Sequence, residues 1–376
     1  MEYKICNQCV MDSSDPALEL NNDGICHHCV SFEQHAVPNW MPNEKGHQLL
    51  QKTVEKIKRA GQGQDFDCLL GMSGGADSSY MLHTIVQHFG LRPLVYHVDG
   101  GWNSDDAVHN IECMVKKLDL DLFTHVIDWK QMADFQLTMF KSGVPHLDIP
   151  QDMANAASTF HFAKKYKVKY ILNGGNISTE VVRNPKEWIY YGSDMRQIKD
   201  IVGKFSTMPL DQFPMSGIFH HKIYLKYILG IKRFMPLNLM PYVKAEAEEI
   251  LNKEYGWRPH KQKHFESRFT AFYEGYWLPS RFGFDVRRVQ YSSLILTNQM
   301  DRKTAIDQLS QPVFGAEDLE QEKKYICDKL KISVEELEDL HGRPLKSYRD
   351  YKNMASIFEI GAKILQFSGS ESSIKK

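Results

Sequence analysis

Two groups of residues in this 376-residue chain have the types and spacing of chemical sites. The first is Cys6 and Cys9 followed by Cys26 and Cys29, each pair separated by two residues and the pairs by sixteen. Zinc binds four thiolates at about 2.3 Å, and a two-residue gap lets one short turn present two sulfurs to the same ion. Four sulfurs leave no open coordination position, so the expected role is structural. An iron–sulfur cluster or a redox pair are the alternatives to zinc. A segment of about 40 residues buries too little core to fold alone, and the metal would supply its folding free energy. His27 and His28 lie inside the second knuckle and read as neighbours of the ligands rather than ligands.

The second group is the run Leu69 to Ser79, which contains Ser73, Gly74, Gly75, Asp77, Ser78 and Ser79. It falls between an expected strand and an expected helix, where backbone N–H groups and the positive helix end make an anion site. Paired glycines let backbone approach phosphate closely, and the serine hydroxyls add donors. The run lacks the Gly-Lys-Ser/Thr of a Walker loop and the Gly-x-Gly-x-x-Gly of a dinucleotide fingerprint. A serine–glycine turn that binds nothing is the plain alternative.

The elements that must position these residues follow from periodicity. Apolar residues at Leu49, Leu50, Val54 and Ile57 mark a helix that stops at Gly61 to Gly63. Strands are expected at Phe66 to Met72, Leu94 to Val98, Phe123 to Ile127 and Tyr170 to Leu172. Helices are expected at Ser79 to Phe89, over Val108 to Leu118, and around Met153 to Phe160. A fifth strand is expected near Phe234 to Leu239. The alternation predicts an α/β fold with a doubly wound parallel sheet, ligands gathering at the carboxyl ends of its strands. Beyond Trp257 the chain reads as helical and polar, with Ser333 and Glu336 at a capping position. The expected organisation is a zinc ribbon over 1–45, a nucleotide-binding α/β domain over 46–258 and a helical substrate region over 259–376.

Composition narrows the classes. The 46 Lys+Arg nearly balance 47 Asp+Glu, which argues against a constitutive nucleic-acid binder. No run approaches a membrane span, and the first residues lack the apolar core of a signal peptide, so a cytoplasmic protein is expected. Residues 196–245 carry eight basic against two acidic groups, mixed with Phe219, Tyr224, Leu225 and Tyr227. That stretch suits either a partner's dock, an anionic ligand or membrane surface, or a crossover helix with a solvated basic face.

The motif Ser73-Gly74-Gly75-x-Asp77-Ser78 resembles the PP-loop signature of the ATP-pyrophosphatase superfamily. The resemblance continues through Asp99, Gly174 to Asn176, and Pro236 to Glu246. With the cysteine knuckles, Lys263 to Arg268, Leu278 to Asp285, and Arg287 and Arg288, the chain looks like the N-acetyl sugar amidotransferases of bacterial surface-polysaccharide synthesis. That resemblance implies conversion of an acetamido group on a nucleotide-linked sugar to an acetamidino group, with ATP, Mg²⁺ and a structural Zn²⁺. Ser73, Gly74, Gly75, Ser78 and Ser79 would hold the leaving pyrophosphate, Asp77 its Mg²⁺, and Asp99 and Gly174 the adenosine. Lys263, His264, Glu266 and Arg268 would act at the reacting centre, with His264 or Glu266 as base. Arg281, Arg287 and Arg288 would clamp the anionic substrate, with Asn176, Glu180 and Asp194 as weaker candidates, each equally readable as a helix cap. The plain reading of the charged C-terminal residues is a solvated helix face.

Cys68, Cys113 and Cys327 lie in strand or helix patterns, so no built-in glutaminase is read from the sequence; the resemblance implies ammonia from a separate class I glutaminase with a companion channel subunit. A rival reading is a tRNA thiolase, which would need cysteines near the loop and a basic surplus for RNA. A zinc and nucleotide-binding adaptor without catalysis is the other.

Overall fold

A computed structural model of the protein describes residues 2–218 and 227–360. Five parallel strands, β1 Cys68–Gly71, β2 Pro93–Asp99, β3 Leu122–Val126, β4 Tyr170–Leu172 and β5 Lys232–Phe234, form one sheet in the order β3-β2-β1-β4-β5. Direction along the chain reverses between β1 and β4, the switch point where open α/β sheets leave a crevice for ligands. The helices are α1 His27–Ser31, α2 Glu44–Ala60, α3 Ala76–His83, α4 Asp105–Lys117, α5 Trp129–Ser142, α6 Ile149–Lys165, α7 Ile177–Glu180 and α8 Met195–Phe205. They continue with α9 Lys244–Tyr255, α10 Arg268–Phe272, α11 Leu278–Phe282, α12 Arg287–Leu296, α13 Arg302–Leu309, α14 Ala316–Leu330 and α15 Val334–Gly342. No helix among the described residues is long and apolar enough to cross a membrane.

Strand residues alternate between two cores, as a period of two requires. Cys68 and Leu70 of β1, Val95 of β2, and Tyr170 and Leu172 of β4 join Leu50, Leu82, Met114 and Leu251 of α2, α3, α4 and α9. Leu69, Leu94, Tyr96 and Ile171 face the other way onto Phe160, Phe162 and Ala163 of α6. The centre of the sheet is therefore covered on both faces, which explains why β1, β2 and β4 read as near-continuous apolar runs, whereas the edge strands β3 and β5 carry polar residues and are partly exposed.

The fifth strand differs from expectation. It is Lys232–Phe234, paired with β4 through Ile171 opposite Arg233 and Leu172 opposite Phe234, and Pro236–Leu239 is a 3₁₀ turn. Pro236 has no N–H to give the ladder and its fixed φ suits the first turn of a helix, so pairing ends before it. Phe219, Lys222, Tyr224, Leu225 and Lys226 of the basic stretch lie outside the described residues.

The expected segments share cores rather than standing apart. Trp102, Met132, Phe135 and Phe140 pack with Phe269, Trp277, Ile326 and Leu340, so the C-terminal helices complete the core around α5 and α8. The cysteine knuckles pack with Trp188, Val289 and Leu296. Arg302 donates to the carbonyls of Cys9 and Cys6 at 2.9 and 2.8 Å, and Arg288 to that of Val10 at 2.8 Å.

Candidate active site

The loop after β1 is shaped by its glycines and held from behind. Gly74 sits at φ +86°, and a Cβ there would lie 2.6 Å from the Ala107 carbonyl oxygen. Three donors converge on the Gly74 carbonyl: Asn110 Nδ2 at 3.0 Å, Trp257 Nε1 at 3.0 Å and His260 Nε2 at 3.2 Å. Fixing that carbonyl fixes the peptide planes of the turn. Gly75 then caps α3, and no side chain caps the first N–H groups of the helix, which leaves them free to bind an anion. Ser73 Oγ lies 3.3 Å from Ser78 Oγ at the same mouth. Ser79 is fully buried in α3 and faces away from the cavity.

Asp77, in the first turn of α3, anchors a compact ionic group. Lys263 Nζ lies 2.7 Å from Asp77 Oδ2 and 2.8 Å from Glu180 Oε1, and donates to Thr179 Oγ1 at 3.0 Å. The Tyr242 hydroxyl donates to the other Asp77 oxygen. Burial alone would raise the Asp77 carboxyl, but the charge and hydrogen bond of Lys263 outweigh it and hold the group below its ordinary value. Burial would likewise lower the Lys263 ammonium, yet Asp77 and Glu180 raise it. One ammonium is thus shared by two facing carboxylates, which leaves the group one net negative charge.

Residues 263–267 form a strap across the loop. It is joined to the segment after β2 by Ser104 N–H to the Glu266 carbonyl and Arg268 N–H to the Trp102 carbonyl, both 2.8 Å. The Glu266 carboxylate lies so close to Gly75 that a Cβ there would stand 1.8 Å from Glu266 Oε1. No larger residue fits at Gly75 without moving Glu266. His264 adopts φ +69°, rare for a non-glycine residue, and its Nδ1 lies 3.1 Å from Glu274 Oε1. Burial works to lower its pKa, but the Glu274 carboxylate reverses this and raises it to about 9.

These groups line a cavity of about 740 Å³ at the carboxyl ends of β1, β2 and β4. Its far wall carries His146, Asp148, Gln151 and Asp152. Burial, reinforced by the Asp152 charge, pushes the Asp148 carboxyl up to about 7, and Thr270 Oγ1 donates to it at 2.7 Å. His146 Nε2 lies 3.3 Å from Asp152, a pairing that raises the imidazole against the opposing effect of burial.

Of the residues singled out from sequence, the cavity gathers Ser73, Gly75, Asp77, Ser78, Gly174, Glu180, Lys263, His264 and Glu266. Others serve the scaffold. Asp99 accepts from Gly101 N–H and Asn103 rather than facing the cavity. Asn176 caps α7 through Thr179 N–H, and Asp194 caps α8 through Arg196 and Gln197 N–H. The arginine clamp is not formed. Arg268 pairs with Glu322 at 2.7 Å and lies over the Tyr325 ring. Arg281 is buried against the His341 carbonyl, Arg287 pairs with Asp285 at 2.6 Å, and Arg288 pairs with Asp12 of the ribbon at 3.0 Å. These guanidiniums are engaged with carboxylates or carbonyls of the chain, and none of the four lines the cavity. Sequence reasoning missed Tyr242, Trp257, Thr179, Glu274, Asp148 and His146. None belongs to a spaced motif; only the indole of Trp257, just after Gly256, offered a donor that a buried site must use.

The four cysteines are buried with Sγ atoms 3.8 Å apart for Cys6 and Cys29, and 3.6 Å for Cys9 and Cys26 and for Cys26 and Cys29. Four sulfurs at about 2.3 Å around one tetrahedral ion lie about 3.8 Å from each other, so the set can hold one metal ion. A cubane cluster puts each thiolate on a different iron and spreads the sulfurs farther apart. The N–H groups of Gln8 and Cys26 point at Cys6 Sγ from 3.4 and 3.2 Å, as thiolate charge requires.

Residues 266–365 match the family described as "LPS biosynthesis protein WbpG-like, C-terminal domain". Uncharacterized protein MJ1599 of Methanocaldococcus jannaschii is 29% identical over 119 residues, which span 31% of this chain and 40% of that protein. Among solved structures the chain is similar to an NMN synthetase from Francisella tularensis, with 13% identity, 80% of this chain and 98% of that one covered, and a TM-score of 0.30. It is also similar to the U34-tRNA thiolase NcsA from Methanococcus maripaludis with its 4Fe–4S cluster, with 13% identity, 92% and 91% covered, and a TM-score of 0.30.

Proposed function

We propose that this chain is an ATP-dependent amidotransferase that converts the acetamido group of a nucleotide-linked sugar to an acetamidino group in surface-glycan synthesis. One observation carries the reading. The segment that matches a lipopolysaccharide-biosynthesis domain begins at Glu266, and its residues Glu266, Ser267, Thr270 and Glu274 line the same cavity as the loop after β1.

An amide carbonyl is a weak electrophile, so ammonia alone does not displace its oxygen. Attack of that oxygen on the α-phosphorus of ATP forms a P–O bond, breaks the bond to the β-phosphate and releases pyrophosphate. Ammonia then adds to the carbon, AMP departs with the former amide oxygen, and the amidine remains. The open N–H groups at the start of α3, with Ser73 and Ser78, would take the leaving pyrophosphate. Asp77 and Glu180 already share one cation, the Lys263 ammonium, and would hold a Mg²⁺ that neutralises the pyrophosphate. Lys263, freed from them, is within the same cavity to meet the α-phosphate. His264 is held protonated at neutral pH by Glu274 and so suits a developing negative charge better than the role of base. Glu266, beside Gly75, is the better candidate to take the proton from ammonium.

The cysteine site would hold a structural zinc ion, and a separate glutaminase would deliver ammonia. Thiol chemistry is not favoured: among the described residues Cys68, Cys113 and Cys327 do not line the cavity, and burial raises the Cys68 thiol far from the thiolate range. Incubation of UDP- and CMP-linked acetamido sugars with ATP, Mg²⁺ and ammonium tests the reading. A product lighter by about one mass unit should form together with AMP and pyrophosphate, as replacement of O by NH demands. ATP cleavage without such a product from any sugar nucleotide would overturn it.

A further inference from the structure

The wall formed by Asn173, Gly175 and Glu180 has a second cavity behind it, about 470 Å³ in volume. Its opposite side is the knuckle helix α1 and the turn after it, which contribute His27, Ser31 and His35, and Arg183 also borders it. The lining is rich in donors. His27 Nδ1 accepts from Glu19 N–H at 3.3 Å, so the neutral ring carries its proton on Nε2, a donor. Asn173 Oδ1 accepts from Gly175 N–H at 2.7 Å, which fixes the amide and leaves its NH₂ hydrogens to give. Arg183 is exposed and makes no ion pair or hydrogen bond among the described residues. Glu180 is the one carboxylate in the lining, and it is ion-paired at 2.8 Å with Lys263, which it shares with Asp77.

An unengaged guanidinium with neutral N–H donors, beside a single carboxylate that is itself ion-paired, is the chemistry that receives a phosphate. We propose that this second cavity binds the phosphate groups of the nucleotide-linked acceptor, whose sugar then passes the Asn173–Gly175 wall into the active-site cavity. The inference rests on the proposed amidotransferase reading for the identity of its ligand. It separates the two anions of the reaction: ATP is held at the loop after β1, and the acceptor on the side of the cysteine knuckles. It also gives the metal-held ribbon a task beyond its own folding, because the turn that places Cys26 and Cys29 also places His27 on the cavity wall.

The test is calorimetric titration of the full-length, metal-loaded protein with UDP, CMP and inorganic pyrophosphate, each without ATP. UDP or CMP should bind the wild type. Arg183→Glu should weaken that binding by about tenfold or more, as charge reversal at a phosphate contact does, and His35→Ala should weaken it less. ATP affinity and melting temperature should stay unchanged in both. The proposal is overturned if neither nucleotide binds, if pyrophosphate alone binds there, or if folded Arg183→Glu binds UDP and CMP as the wild type does. Amidine formation by wild type and Arg183→Glu alike would sink the site and leave the enzyme reading intact. Nucleotide binding lost in Arg183→Glu, with no amidine made by the wild type, would do the reverse.

Discussion

Lys263 and Asp77 form an ion pair at 2.7 Å across the mouth of the loop after β1, joining the strap of residues 263–267 to the first turn of α3. The lysine side chain is 13% exposed and the aspartate 20%. Because Glu180 lies on the same ammonium at 2.8 Å, Lys263 is the shared partner of a second carboxylate as well. Removing the lysine therefore leaves two half-buried negative groups facing each other.

Lys263→Met should cost about 3 kcal/mol of stability near neutral pH, the usual result of stranding a buried partner. The pH dependence has a fixed sign. The folded Asp77 carboxyl is held below 3.8, so its contribution is complete above that value and disappears as acid protonates the folded carboxylate. Denaturant midpoints of wild type and variant should converge below about pH 3.8 and stay separated above pH 5. A gap independent of pH would show that the lysine acts through packing alone.

His264 titrates in the opposite sense. Its folded value of about 9 lies above the ordinary 6.5, so the stabilisation from Glu274 is complete below pH 6.5 and fades as pH rises through about 9. The stability difference between wild type and His264→Gln should accordingly shrink from pH 6 to pH 10. An imidazole resonance midpoint near 6.5 would refute the assignment.

Asp148 provides an independent check on the far wall. Its carboxyl is raised to about 7 by burial and Asp152, so ionisation disfavours the fold as pH climbs from 3.8 through 7. Asp148→Asn should gain stability relative to wild type across that interval, whatever its offset at pH 4. A flat difference would mean that the folded carboxyl ionises at its ordinary value.

The centre of the sheet was legible because β1, β2 and β4 are covered on both sides and so read as apolar runs, and the loop because its serines and glycines follow one such run; the edge strand β5, Lys232–Phe234, is exposed and carries no such signal. The cysteine set was legible from spacing alone. What the sequence withheld was partnership. Arg268, Arg281, Arg287 and Arg288 have the composition of a phosphate clamp, but Glu322, the His341 carbonyl, Asp285 and Asp12 reach them from 54, 60, 2 and 276 residues away in sequence. A guanidinium is a ligand group only when the fold leaves it unpaired, and the long-range pairings of Arg268, Arg281 and Arg288 have no local pattern, while Arg287 and Asp285 are neighbours in sequence. The same holds for the donors on the Gly74 carbonyl, which come from residues 110, 257 and 260.

The cysteine site should contain one zinc ion per chain by elemental analysis. Cys26→Ser should lose it and destabilise more than the ribbon, because Arg288 and Arg302 tie α12 and α13 to ribbon carbonyls. A loss of about 2–4 kcal/mol would lower Tm by roughly 3–5 °C in a chain of this length. An unaltered Tm in the metal-free variant would rule out a structural metal.

Trp257 and Arg268 separate positioning from scaffolding. Trp257→Phe keeps the ring in its buried site but deletes the N–H that reaches the Gly74 carbonyl at 3.0 Å. Asn110 and His260 still hold that carbonyl, so the loop should loosen rather than collapse. The expected result is a rise in the KM for ATP of about fivefold to tenfold, matching one hydrogen bond of about 1–1.5 kcal/mol, with a small change in Tm. Arg268→Gln deletes the charge on Glu322 and the cation over Tyr325, 3.4 Å from its ring centroid. It should lower Tm while leaving the KM for ATP within about twofold, since a half-buried structural pair acts on stability rather than on a ligand. If Arg268→Gln raised the KM for ATP more than Trp257→Phe did, the guanidinium would have to leave Glu322 for the nucleotide during turnover, and the clamp expected from sequence would form only with ATP bound.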